Sequence, residues 1–132
     1  MGYKLLSYAA TAGNVDATFT VPYGKDYRVL YGETSLTTDA TVASRRVEIQ
    51  VLDASDVVLF RVPAGATVAA SLSGQRHGFM PGVPRETAAV AGSLLVPVGQ
   101  DLVLPPGYKL RVRVDAGVAG DSHVGYFMVE EK

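Results

Sequence analysis

The chain has 132 residues, no cysteine, and twelve Lys and Arg against thirteen Asp and Glu, for a formal charge of −1. That length suits a single domain with a sizeable core. The missing cysteines exclude disulfides, thiolate metal sites and a thiol nucleophile, and the scattered basic residues argue against nucleic-acid binding driven by counterion release.

The amino-terminal MGYKLLSYAATAG alternates apolar with polar residues and lacks the apolar run of a secretion signal. Gly2 is not a myristoylation site on this pattern, because the required hydroxyl residue is replaced by Leu6. A strand is predicted at Tyr3 to Ala10. In Val15 to Val21, Val15, Ala17, Phe19 and Val21 share one face and Asp16, Thr18 and Thr20 the other, the period of a half-buried strand. Pro22 and Gly24 then suit a turn, with Pro presetting φ and Gly tolerating the exit.

Strands follow at Asp26 to Thr37 and Arg46 to Leu52. In the latter, Val47, Ile49 and Val51 oppose Arg46, Glu48 and Gln50. Asp53 to Asp56 offers Asx side chains that close a hairpin and too few oxygens for a calcium loop. Val57 to Val62 is the next strand, Thr67 to Ser71 a weak one, and Ser93 to Val98 another. Pro106 and Gly107 fit a type II turn into Tyr108 to Asp115, where Tyr108, Leu110, Val112 and Val114 face one way. His123 to Glu130 closes the series.

About eight to ten short strands, each expected to keep one wet face, predict an all-β antiparallel sandwich of the jelly-roll type filling 1–132. VPYGKDYRVL from Val21 and LPPGYKLRVR from Leu104 echo each other in Pro, Gly, Arg and Val. Paired Greek keys would produce such an echo, and so would any two strand-and-turn units of this kind. The longest uncharged stretches, Val62 to Gln75 and Thr87 to Gln100, contain Gly or Pro and are too short for a bilayer span, so no membrane partner is expected.

Residues 63–92 change character, becoming rich in Ala, Gly and Pro around RHGFMPGVPRE. Long loops in small domains are usually functional or disordered, and this one carries the residue types enriched at protein interfaces. The expectation is an arm whose partner contacts are Arg76, His77, Phe79, Met80 and Arg85. The alternative is an Ω-loop folded back with Phe79 and Met80 over the core.

No catalytic site and no cofactor is predicted. A metal site built on His77 and His123 would need carboxylates brought in by folding. GDSHVG from Gly120 places Asp, Ser and His in adjacent positions, which along a strand cannot converge on one atom, and a polar turn explains it. A glycosidase cleft needs two facing carboxylates; Glu33 and Glu48 are one of many such pairs in a sandwich, and nothing in the sequence selects them. Tyr27, Tyr108 and Tyr126 fall where alternation points inward, so they are expected in the core rather than on a sugar platform.

VPYGKDYRVLYGETSLTTDATVASRRVEIQVLD resembles small structural proteins of tailed bacteriophages in Val21, Pro22, Gly24, Lys25, Tyr27, Arg45, Arg46 and Asp53. LPPGYKLRVRVDAG resembles their second half in Leu104, Pro105, Gly107, Leu110 and Arg111. The resemblance implies a virion component, assembled in the host cytoplasm: a capsid decoration or cement protein. It would bind the major capsid protein as a homo-oligomer, a trimer suiting a capsid threefold. A tail, fibre or head-to-tail connector component is the alternative in that setting, and a lectin-like carbohydrate-binding module the alternative outside it.

Overall fold

Regular alternation becomes strand throughout. The computed structural model describes residues 2–132, with ten strands in chain order: β1 (Gly2–Ala12), β2 (Ala17–Thr20), β3 (Tyr27–Thr37), β4 (Arg46–Leu52), β5 (Val58–Pro63), β6 (Gln75–Met80), β7 (Ser93–Pro97), β8 (Val103–Leu104), β9 (Lys109–Asp115) and β10 (Ser122–Glu131). They form two packed sheets, a β-sandwich. One has six strands in the order β1-β10-β3-β6-β7 with β8 also on β3, and the other four in the order β2-β9-β4-β5. All pairs are antiparallel except β6 with β7, which run parallel with Arg76 opposite Ser93 and Met80 opposite Pro97.

The inner faces meet in one apolar core. Val47, Ile49 and Val51 of β4 and Leu110, Val112 and Val114 of β9 join Leu36, Phe79, Leu94 and Phe127 from the larger sheet. Each such side chain contributes about 1.5–3 kcal/mol by leaving water. Phe79 and Phe127 stack with ring centroids 5.8 Å apart, and Phe19 meets Phe127 edge-on at 6.2 Å. Gly32 lies against the Phe127 ring and the Tyr126 carbonyl, and a Cβ there would collide with both.

Turn chemistry follows the sequence. Gly24 and Gly107 adopt φ of 79° and 84°, and Lys25 and Tyr108 donate to Pro22 and Pro105 three residues back, as type II turns require. The two echoing turns lie side by side: Val21 N–H donates to Tyr108 O and Gly107 N–H to Val21 O, both at 2.9 Å. One carries the chain from the four-stranded to the six-stranded sheet, and the other carries it back. Between β4 and β5, Asp53 Oδ1 accepts from Ser55 and Val57 N–H at 2.8 and 3.0 Å, closing the hairpin as an Asx turn.

Several expectations are corrected. Residues 75–80 are no loop but a strand paired on both sides, because its inward residues His77 and Phe79 fill the core. Thr67 to Ser71 is no strand; only Val68 bridges to Arg45. The outer face of β4 is not wet. Glu48 and Gln50 are buried there, because long arginine stems from neighbouring strands lie over them. Tyr126 points outward, since Phe127 and Val129 take the inner positions of β10.

Candidate interaction surface

Four polar constellations are available for chemistry: the fold separates one carboxylate pair, saturates two buried clusters and buries His77 alone. Glu33 lies on β3 and Glu48 on β4, on the outer sides of opposite sheets, so they share no cleft. Asp121 is held by Arg45, with Arg45 Nε to Oδ2 at 2.9 Å and Nη2 to Oδ1 at 3.0 Å, both side chains fully buried. Arg45 Nη2 also donates to Asp39 Oδ1 at 3.0 Å. Asp39 and Val118 N–H donate to the Asp121 carboxylate at 3.0 and 3.1 Å. Burial by itself would raise the Asp121 carboxyl, but the Arg45 guanidinium and the two N–H donors hold it below its ordinary range.

His123 is buried in a different cluster. Its Nε2 lies 2.9 Å from the Val15 carbonyl, which only accepts, so Nε2 carries the proton and Nδ1 accepts from the Tyr8 hydroxyl at 2.8 Å. Burial pushes the Tyr8 hydroxyl up to about 12 against an opposing hydrogen bond with Thr34. Asp121, Ser122 and His123 therefore diverge, two into separate buried clusters and Ser122 to solvent. His77 is also buried, with both ring nitrogens unpartnered, and burial lowers it to about 4. No group of three or more His, Asp or Glu placed to hold a metal occurs among the described residues.

The five proposed contact residues divide between core and surface. His77 and Phe79 point into the chain's own core and cannot anchor a partner. Arg76 and Met80, at the alternate positions of β6, face outward. Arg85 is exposed, but its Nη2 donates to the Ala64 carbonyl at 3.2 Å. Nearby, Glu86 Oε1 accepts from Leu95 N–H at 2.6 Å. These contacts bind the 81–92 connection to its own domain, which is not how a free arm behaves.

What Arg76 and Met80 join is the outer face of the six-stranded sheet. Across it, Leu5 lies opposite Met128 and Met128 opposite Tyr31. One row on, Ser7, Tyr126, Glu33, Gly78 and Leu95 cross five strands, and a third row runs Val124, Ser35, Arg76, Ser93. Leu5 is 55% exposed, Val124 42% and Tyr31 40%. Tyr31 and Tyr126 meet edge-on at 6.5 Å. Strand β1 is irregular between Tyr8 and Thr11, opposite Gly125, and the missing side chain and the bulge leave a depression of about 340 Å³ walled by Leu5, Ser7, Glu33, Ser35, Val124 and Tyr126. Glu33 and Arg76 form no ion pair among the described residues.

The other outer face is built on the opposite plan. Arg111 reaches Asp16 at 3.6 Å and Gln50 at 2.9 Å, Gln50 donates to Glu48 at 2.8 Å, and Glu48 takes Arg113 at 3.3 Å and Arg61 at 3.9 Å. Charges there satisfy one another and suit water. At that sheet's edge, however, Val57, Val58, Leu59 and Phe60 are all at least 40% exposed along and beside β5. An apolar edge strand is a template for strand addition.

Alternation does not reveal the apolar face, because β10 is apolar at both parities, with Val124, Tyr126 and Met128 against Phe127 and Val129. That double pattern is the sequence signal for a strand covered on both sides. No protein-family model and no curated protein matches the chain.

Proposed function

We propose that the protein is a non-enzymatic structural protein that works by burying surface against other protein subunits, and that its setting is the bacteriophage virion, as a capsid decoration or cement protein. The observation that carries this reading is the outer face of the six-stranded sheet. Leu5, Tyr31, Met80, Val124 and Tyr126 lie together there, whereas a sheet meant only for water would carry the charge ladder of its opposite number. Contiguous exposed apolar surface of this kind marks interaction sites. The β5 edge supplies a second contact of different type, and the major capsid protein is the partner that the resemblance to phage structural proteins implies. A tail or connector component would use the same surfaces.

A lectin-like module is the second reading, favoured by one feature: Tyr126 and Glu33 share a depression, giving a ring face and a hydrogen-bond acceptor.

Mixing the purified protein with phage capsids stripped of accessory proteins tests the assignment. Saturable binding at symmetry-related positions, lost in a folded Phe60→Asp or Tyr126→Asp variant, is expected. Absence of capsid binding together with selective glycan binding reverses the ranking.

A further inference from the structure

The apolar face carries one unpaired acid and one unpaired base, and their positions suit a second copy of the same face. Glu33 sits on the central strand β3, and Arg76 on β6 beside it, opposite Ser35. Neither finds a counter-charge within its own chain among the described residues. We propose that the protein forms a two-fold dimer through this face, each Arg76 seated on Glu33 of the other copy.

Strand order makes the face self-complementary. A two-fold axis along β3 exchanges its neighbours, laying β6 of one copy over β10 of the other and β7 over β1. In the observed register, Arg76 then lies over Val124, one row and one strand from Glu33, the same offset that it has from Glu33 of its own chain, with which it forms no ion pair among the described residues. Gly78 lies over Tyr126, where a missing side chain leaves room for the ring. Leu95 lies over Ser7, at the mouth of the depression. Knob meets hole, and glycine meets tyrosine. Both Glu33 carboxylates come close to the axis, so the pair of Arg76 guanidinium groups is needed to neutralise them.

The area suits a weak dimer. Five strands about 4.8 Å apart and about seven residues long at roughly 3.4 Å each give a footprint near 550 Å² per copy, or about 1,100 Å² per pair. That lies just below the roughly 1,200 Å² at which stable specific interfaces begin, in the range of weak, transient association, and it fits a dimer seen only at high concentration. Face-to-face packing with nearly aligned strands is an ordinary arrangement of sheets.

Sedimentation velocity from micromolar to near-millimolar protein is the test, with Glu33→Arg and Arg76→Glu as variants and thermal melting to show that both fold. The wild type should pass from monomer to dimer. Each variant alone should associate more weakly by about hundredfold or more. An equimolar mixture should recover the dimer, because one variant carries Arg at both positions and the other Glu at both. A wild type that stays monomeric, variants that dimerise as wild type, or a mixture that fails to recover would each overturn the proposal. The inference rests on the face being a contact surface; the second copy covers it, which leaves the exposed β5 edge for the capsid, and the two fail separately. A monomer whose capsid binding is lost in Glu33→Arg sinks the dimer alone, and a dimer that binds no capsid sinks the decoration role alone.

Discussion

Phe79 stacks on Phe127 across 5.8 Å, which joins β6 to β10 over the intervening glycine of β3. The contact converts the most loop-like segment of the sequence into a central strand, and it separates Phe79 from its neighbour Met80.

Phe79→Ala should therefore lower stability by about 3–5 kcal/mol through lost burial and a cavity. Met80→Ala, on the outer face at 39% exposure, should cost less than about 1 kcal/mol. Urea unfolding of the two variants measures both, and equal losses would contradict the alternation of β6.

At Gly32 the constraint is space. An alanine methyl would meet the Phe127 ring and the Tyr126 carbonyl, and overpacking of this kind costs about 1–3 kcal/mol. Gly32→Ala should show a lower denaturation midpoint with an unchanged slope, whereas a neutral result would mean that the ring has freedom to move aside.

The Arg45 and Asp121 pair is buried at both ends, so removing one partner strands the other. Arg45→Met should cost about 3–5 kcal/mol, and the double variant with Asp121→Leu should recover part of that loss. Non-additivity in a double-mutant cycle is the expected outcome; simple addition would show the pair to be uncoupled.

His77 makes stability depend on acid. Its folded value of about 4 lies below the ordinary 6.5, so below pH 6.5 the unfolded chain binds the proton first. Stability should be full above about pH 6.5 and fall as pH drops, by about 3 kcal/mol by pH 4. His77→Leu, which also replaces two unpartnered nitrogens, should flatten the profile over that window. Asp121, held low, adds a separate loss only below the ordinary carboxylate range. Melting temperatures of wild type and variant across pH 4 to 7 decide it, and identical slopes would remove His77 as the cause.

Most strands were legible because one parity was apolar and the other polar, as in β4 and β9. Turns were legible because Pro, Gly and Asp act locally, as at Pro106, Gly107 and Asp53. Strand β6 was hidden because Gly78 interrupts it and His77 reads as polar, although its ring lies in the core. The apolar outer face was hidden by a different cause. Alternation tells which residues share a side and says nothing of which side is wet when both are apolar, so it does not place Tyr126 on the outer face. Glu48 and Gln50 were hidden because their cover comes from arginines on other strands. The Arg45 and Asp121 pair joins residues 76 positions apart, a distance at which sequence pattern carries no signal.

The pairing of β1 with β10, Gly2 opposite Glu131, has a kinetic consequence. The edge strand β1 cannot join the larger sheet until both ends of the described chain have met, and the entropy of that loop opposes its contacts until they form. Folding should accordingly fall in the millisecond-to-second range of sandwiches dominated by distant pairings, which stopped-flow refolding would show. Until β10, the last strand of the chain, arrives, the flank of β3 that it will occupy stays open, and that interval is when this chain is most exposed to mispairing.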